Sequence, residues 1–198
     1  MISAVEALER LREGNRRFAS GTTSDSESGF LANRAEFADG QNPFAIVLAC
    51  SDSRVPVELV FDQGLGDLFV IRVAGNVVAP SQIGSVEFAA AQLGAKLVVV
   101  LGHSNCGAVD ATLKELAQKQ ELRSPNLRAI VDRIRPAIDS LTGQDIDLQD
   151  AVIANVHHSV SRLQHGSLIL EKLVDSGELM IVGAEYSIES GKVNFLNE

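Results

Sequence analysis

Four short apolar runs constrain this chain most: Phe44–Ala49, Leu68–Val73 (interrupted only by Arg72), Leu97–Leu101 and Leu179–Val182. None alternates with polar residues, and each is bounded by turn-forming residues. A strand with one wet face has to alternate, so a run that does not alternate is covered on both faces, as in parallel sheets. Helical stretches are predicted between and after the runs, over Ser81–Leu93, Gly107–Gln118, Asn126–Ser140 and Leu148–Ser176. The alternation predicts an α/β fold with a central, mostly parallel sheet flanked by helices.

Ahead of the first run, Ala4–Phe18 carries Val5, Leu8, Leu11 and Phe18 at near-helical spacing and reads as an amphipathic helix. A polar connector follows over Ser20–Gly29, then a short helix over Leu31–Ala38, closed by Asn42-Pro43. With 198 residues and no internal repeat, the chain suits one domain, 1–198, whose residues 1–40 form the helical arm and connector. Its net charge of −9 argues against nucleic acid and anionic membrane surfaces as partners. No apolar run approaches the roughly 18 residues that cross a bilayer. Met1–Arg17 is charged and helical in period rather than leader-like, so a cytoplasmic location is expected.

In open α/β sheets, ligands bind beyond the carboxyl ends of the strands. The first run ends at Cys50, followed by Ser51-Asp52-Ser53-Arg54, and the third leads through Gly102 into His103-Ser104-Asn105-Cys106. Both cysteines of the chain and one of its four histidines therefore converge on one edge. Cys, His and Cys are ligands that zinc favours, and three protein ligands leave the fourth position that marks a catalytic site. Buried thiols serving as small hydrophobes, with a loop histidine nearby, fit the same spacing. A Cys50–Cys106 disulfide suits a reducing compartment less well. Residue type and spacing alone leave these readings level.

The surrounding residues add a resemblance. Cys50-Ser51-Asp52-Ser53-Arg54 together with Gly102-His103-Ser104-Asn105-Cys106-Gly107-Ala108 resembles the paired motifs of the β-class carbonic anhydrases. The similarity continues through Gly66–Arg72, Ala74-Gly75-Asn76, Gly84–Phe88, Val182–Tyr186 and Gly191-Lys192-Val193, and so spans essentially the whole chain.

The resemblance implies reversible hydration of carbon dioxide to bicarbonate and a proton by attack of zinc-bound hydroxide. One Zn2+ per subunit would be held by Cys50, His103 and Cys106. It implies that Asp52 orients the nucleophile by accepting its hydrogen bond, and that Arg54 keeps Asp52 off the metal. Gln41 matches a substrate-binding glutamine of the plant-like subgroup, while Phe69, Ala74 and Phe88 match a pocket wall built partly by a neighbouring subunit. Another subgroup binds bicarbonate at a regulatory site that needs a tryptophan where this chain has Val47, although Arg72 and Tyr186 match the rest. A plant-like, constitutively open site is therefore expected. So are an N-terminal helix packed on a partner subunit and a dimer or a tetramer. His157, His158 and His165 are candidate proton shuttles, with a solvent-facing structural role expected to outweigh that one. The alternatives are a carbonyl sulfide or carbon disulfide hydrolase on the same zinc site, and a non-catalytic zinc or thiol-redox module.

Overall fold

The computed structural model describes residues 2–23, 37–118, 124–141 and 146–196. Five strands form one sheet: β1 (Ala45–Ala49), β2 (Leu68–Arg72), β3 (Leu97–His103), β4 (Met180–Tyr186) and β5 (Val193–Leu196). Their order is β2-β1-β3-β4-β5, parallel throughout except for the antiparallel β4–β5 pair. The expected α/β architecture is present.

The missing alternation in the apolar runs has its cause in the layers. Every residue of β1 and β3 is buried. Ala45, Val47, Ala49, Leu97, Val99 and Leu101 face one side of the sheet, where α1 (Ala4–Ser20) covers them with Ala7, Leu8 and Leu11. Ile46, Leu48, Val98 and Val100 face the other. There α3 (Pro80–Ala91) packs Val86 and Ala89, α6 (Leu148–His165) packs Val156 and Leu163, and α7 (Leu168–Asp175) packs Leu170. The short α2 (Val57–Val60) precedes β2, while α4 (Gly107–Gln118) and α5 (Pro125–Asp139) follow β3.

The structure departs from the sequence reading in two places. The helix expected over Leu148–Ser176 is two helices. Gly166 packs where a Cβ would meet Arg162 O at 2.3 Å. Ser167 then starts a new helix, its hydroxyl accepting from the Ile169 and Leu170 N–H groups. Strand β5 and helix α2 are additional, because four residues are too few to show a period. The N-terminal helix is present as expected and packs on the sheet of its own chain. Of the helix expected over Leu31–Ala38, residues 31–36 lie outside the described residues.

Polar side chains lock α1 into that seat. Ser3 and Glu6 form a capping box at its start. Asn15, 5% exposed, donates Nδ2 to Val60 O (3.0 Å) and Gly191 O (2.9 Å) and accepts from the Val193 N–H (2.8 Å). Arg17 pairs with Asp62, and Arg10 with Asp67. Gly14 lets the helix approach so closely that a Cβ there would stand 1.8 Å from Phe61 O. In a free helix Gly→Ala gains up to about 1 kcal/mol. Here Gly14→Ala is expected to destabilise the fold by about 3 kcal/mol, since the helix has to lift off its backbone neighbour. Urea denaturation at one protein concentration checks the sign.

Candidate metal centre

The parallel pairing of β1 with β3 builds the site. Ala49 stands opposite Leu101, so Cys50, one residue past β1, emerges beside the end of β3, whose last residue is His103. The chain then turns through Asn105 in the left-handed region (φ 55°), a conformation that asparagine tolerates better than most residues. That turn returns Cys106 to the same point. The two Sγ atoms and a ring nitrogen of His103 all lie within 4.8 Å of one another, and all three residues are buried.

His103 is poised as a ligand. Its Nδ1 lies 2.9 Å from Ser104 O and has to carry the proton to donate there, which leaves a lone pair on Nε2. That Nε2 is buried and has no hydrogen-bond partner. An orphaned imidazole nitrogen facing two buried thiols fits a zinc ion by donor type and by number. Hydrogen bonding from the Cys106 thiol, and to a lesser degree from the Gly75 N–H (3.3 Å), lowers the pKa of Cys50. The same bond to Cys50, then burial, pushes Cys106 up. The opposite shifts belong to the two thiols as a pair.

Asp52 sits beside this cluster with Oδ2 3.9 Å from His103 Nε2. Arg54 clamps its carboxylate with two parallel bonds, Nε to Oδ1 at 2.9 Å and a terminal nitrogen to Oδ2 at 2.8 Å. The Arg54 backbone N–H adds a third to Oδ1 at 3.0 Å. The Arg54 side chain, and secondarily its N–H, hold the Asp52 carboxyl well below the usual carboxylate range. Arg54 also reaches Asn105 O (3.3 Å), which ties the two ligand loops together. Arg72, at the end of β2, donates to Cys50 O (3.0 Å) and Asp52 O (2.6 Å) and braces the first loop from below.

A family model described as carbonic anhydrase matches residues 45–193. A carbonic anhydrase of Mycolicibacterium smegmatis is 40% identical, over 96% of this chain and 91% of its own. Carbonic anhydrase 2 of Mycobacterium tuberculosis is 38% identical over 95% and 90%. Among solved structures, the β-carbonic anhydrase CcaA aligns with TM-score 0.70 at 27% identity, covering 98% of this chain and 92% of that one. This chain belongs to the β-class carbonic anhydrase family.

Family membership invites a search for the remaining expected residues, and the fold separates them. Gln41 precedes β1, so it lies at the amino edge of the sheet, whereas the ligands lie at the carboxyl edge. The five residues of β1 at ~3.3 Å each place ~16 Å between the two edges. Gln41 lines a separate cavity of about 530 Å³ with Phe37, Glu58, Leu65 and Leu68. Phe69, second in β2, packs against Phe88 of α3 (ring centroids 6.2 Å apart), and Phe88 is 48% exposed. Ala74 alone of the four stands beside the cluster, in the tight turn Ala74–Asn76 that supplies the Gly75 N–H to Cys50.

The regulatory-site matches are otherwise engaged. Val47 is fully buried in β1, Arg72 is held by two carbonyls, and Tyr186 is buried against Phe18. Sequence reasoning missed that bracing role of Arg72, and it missed Asn155 and Ser159, which hold the Ala74–Asn76 turn. No motif or period marks these contacts.

His157 and His158 line a groove between α5 and α6 with Pro136, Ser140 and Asp150, and the exposed His165 ends α6. Burial, then the neighbouring Arg162, lowers the pKa of His158. Because the folded pKa lies below the unfolded one, the unfolded chain binds this proton more readily. Stability is therefore expected to fall as pH drops below about 6.5 toward the folded pKa of His158. A His158→Gln variant should lose that part of the decline, measured as urea midpoints across the window.

Proposed function

We propose that the protein interconverts carbon dioxide and bicarbonate, with one zinc per subunit held by Cys50, His103 and Cys106. The observation that carries this reading is the orphaned, buried Nε2 of His103 facing the two thiols, set in a chain whose family is β-carbonic anhydrase. A zinc ion there lowers the pKa of a bound water so that it becomes a nucleophile near neutral pH.

The chain's own residues supply orientation. Asp52, kept ionised by Arg54, accepts a hydrogen bond from the attacking water and fixes the direction of its lone pair toward carbon. Both Asp52 oxygens are occupied by Arg54, so the carboxylate is restrained from turning onto the ligand cluster. Carbon dioxide gains the oxygen and leaves as bicarbonate, and the released proton passes to solvent. This restraint, the Gln41 position and the absence of tryptophan support the plant-like, constitutively open subgroup.

Gln41, Phe69 and Phe88 can act only where a second copy's carboxyl edge meets this chain's amino edge. We place them there, completing a partner's substrate pocket, with Ala74 contributing in its own subunit. That reading needs a dimer at least; a solved relative from Sordaria macrospora at 21% identity is described as tetrameric. The two cysteines are free, and among the described residues no helix is long and apolar enough to cross a membrane; both agree with the cytoplasmic reading.

Stopped-flow hydration by the zinc-loaded protein from about pH 6.5 to about pH 9 tests the activity. A rate that rises smoothly is expected; no hydration at any pH would turn the assignment toward hydrolysis of carbonyl sulfide or carbon disulfide. Arg54→Ala should lower kcat by ~10²-fold through a misplaced Asp52. Mixing Gln41→Ala subunits with Cys106→Ala subunits should restore activity that neither homogeneous protein has, because the mixed dimer holds one intact site.

A further inference from the structure

Asn155 and Ser159 lie four residues apart on α6 and so share one face of that helix. Each is 1% exposed. Asn155 Nδ2 donates to Gly75 O at 2.8 Å, and Ser159 Oγ donates to Asn76 O at 3.1 Å. The turn they grip has two successive left-handed residues, Gly75 (φ 67°) and Asn76 (φ 43°). Glycine adopts this region freely, but Asn76 does so at some cost and is retained there where its surroundings hold it. A Cβ on Gly75 would meet Ile134 Cδ1 at 2.8 Å, so the turn is also hemmed in from α5. Its outward feature is the Gly75 N–H, directed at Cys50 Sγ over 3.3 Å.

We infer that Asn155, seconded by Ser159, is a positioning residue of the metal centre. The two side chains fix the peptide planes that follow the Gly75 N–H, and so hold that N–H on the sulfur of Cys50. The inference rests on the zinc reading given above. An N–H···S bond draws charge from the sulfur and fixes the direction of its lone pairs. Both effects bear on a zinc that two thiolates would otherwise make a weak Lewis acid. Groups that orient metal ligands in this way typically contribute 10–100-fold to metal affinity.

Asn155→Leu removes the donor at nearly constant size. It leaves Gly75 O without that donor but also removes Asn155 Oδ1, a buried acceptor that has no partner, so a modest loss of Tm is expected. Two readouts are taken besides activity: the rate of zinc transfer to a chelator, and the sulfur-to-metal charge-transfer band of the cobalt(II)-substituted protein. Leu163→Ala, on the same helix and fully buried away from the turn, is the control for general destabilisation. Asn155→Leu is expected to release zinc about 10-fold faster or more and to move the band to longer wavelength, as the sulfur becomes a stronger donor. Ser159→Ala should do the same to a smaller degree, and it stands in if Asn155→Leu does not fold. Leu163→Ala should lower Tm and leave both readouts unchanged. Wild-type values for both positioning variants, or equal zinc loss by Leu163→Ala, would overturn the inference. A wild-type protein that holds no zinc would overturn the metal reading with it, whereas zinc in the wild type and no change in the variants would overturn this inference alone.

Discussion

The parallel, fully buried pairing of β1 with β3 is the constraint on which the rest depends. Two strands running the same way end on the same edge, and the register that sets Ala49 against Leu101 brings the loops after them together. An antiparallel pairing of the same residues would put Cys50 and His103 on opposite edges. Parallel strands need covering on both faces, so α1 on one side and α3, α6 and α7 on the other are requirements of the site as much as of the core. A cluster of two thiols and an imidazole, all buried, cannot be assembled on a loop free to relax into water.

Electrostatics at the edge differ from those of the whole chain. The protein carries a net charge of −9, yet the two ligand loops are pinned by cationic side chains, Arg54 and Arg72. Arg54 neutralises Asp52 and joins the loops, while Arg72 holds the main chain of the first. To bind a zinc ion, both thiols of the cluster would have to give up their protons. Two thiolates would offset the formal charge of the metal.

Much of this was legible in the residues. The apolar runs announced β1 to β4; burial on both faces accounts for the pattern in β1, β3 and β4, whereas the edge strand β2 is only partly buried. Cys50, His103 and Cys106 stand at or just past strand ends, and the motifs around them, rather than their spacing, singled them out. The short elements α2 and β5 were not legible, since four residues show no period. The break at Gly166-Ser167 is written in residues that favour it, but amphipathic character continues across it and hides the interruption. The seat of α1 on its own sheet depends on Gly14 and Asn15, whose partners come from α2 and from the segment before β5.

By itself, the sequence determined the ligand types, their order and the Asp52–Arg54 spacing, because these are local and chemically distinctive. Tertiary structure alone decided that Gln41 stands across the sheet from the cluster in its own subunit. It also decided that Asn155, 80 residues from Gly75, holds the turn facing Cys50. The physical reason is common to both. A hydrogen bond to a main-chain carbonyl asks only for a donor at the right point in space, and strand direction fixes an edge only once the strands have paired. Neither condition imposes a spacing or a residue pattern that the chain could display before it folds.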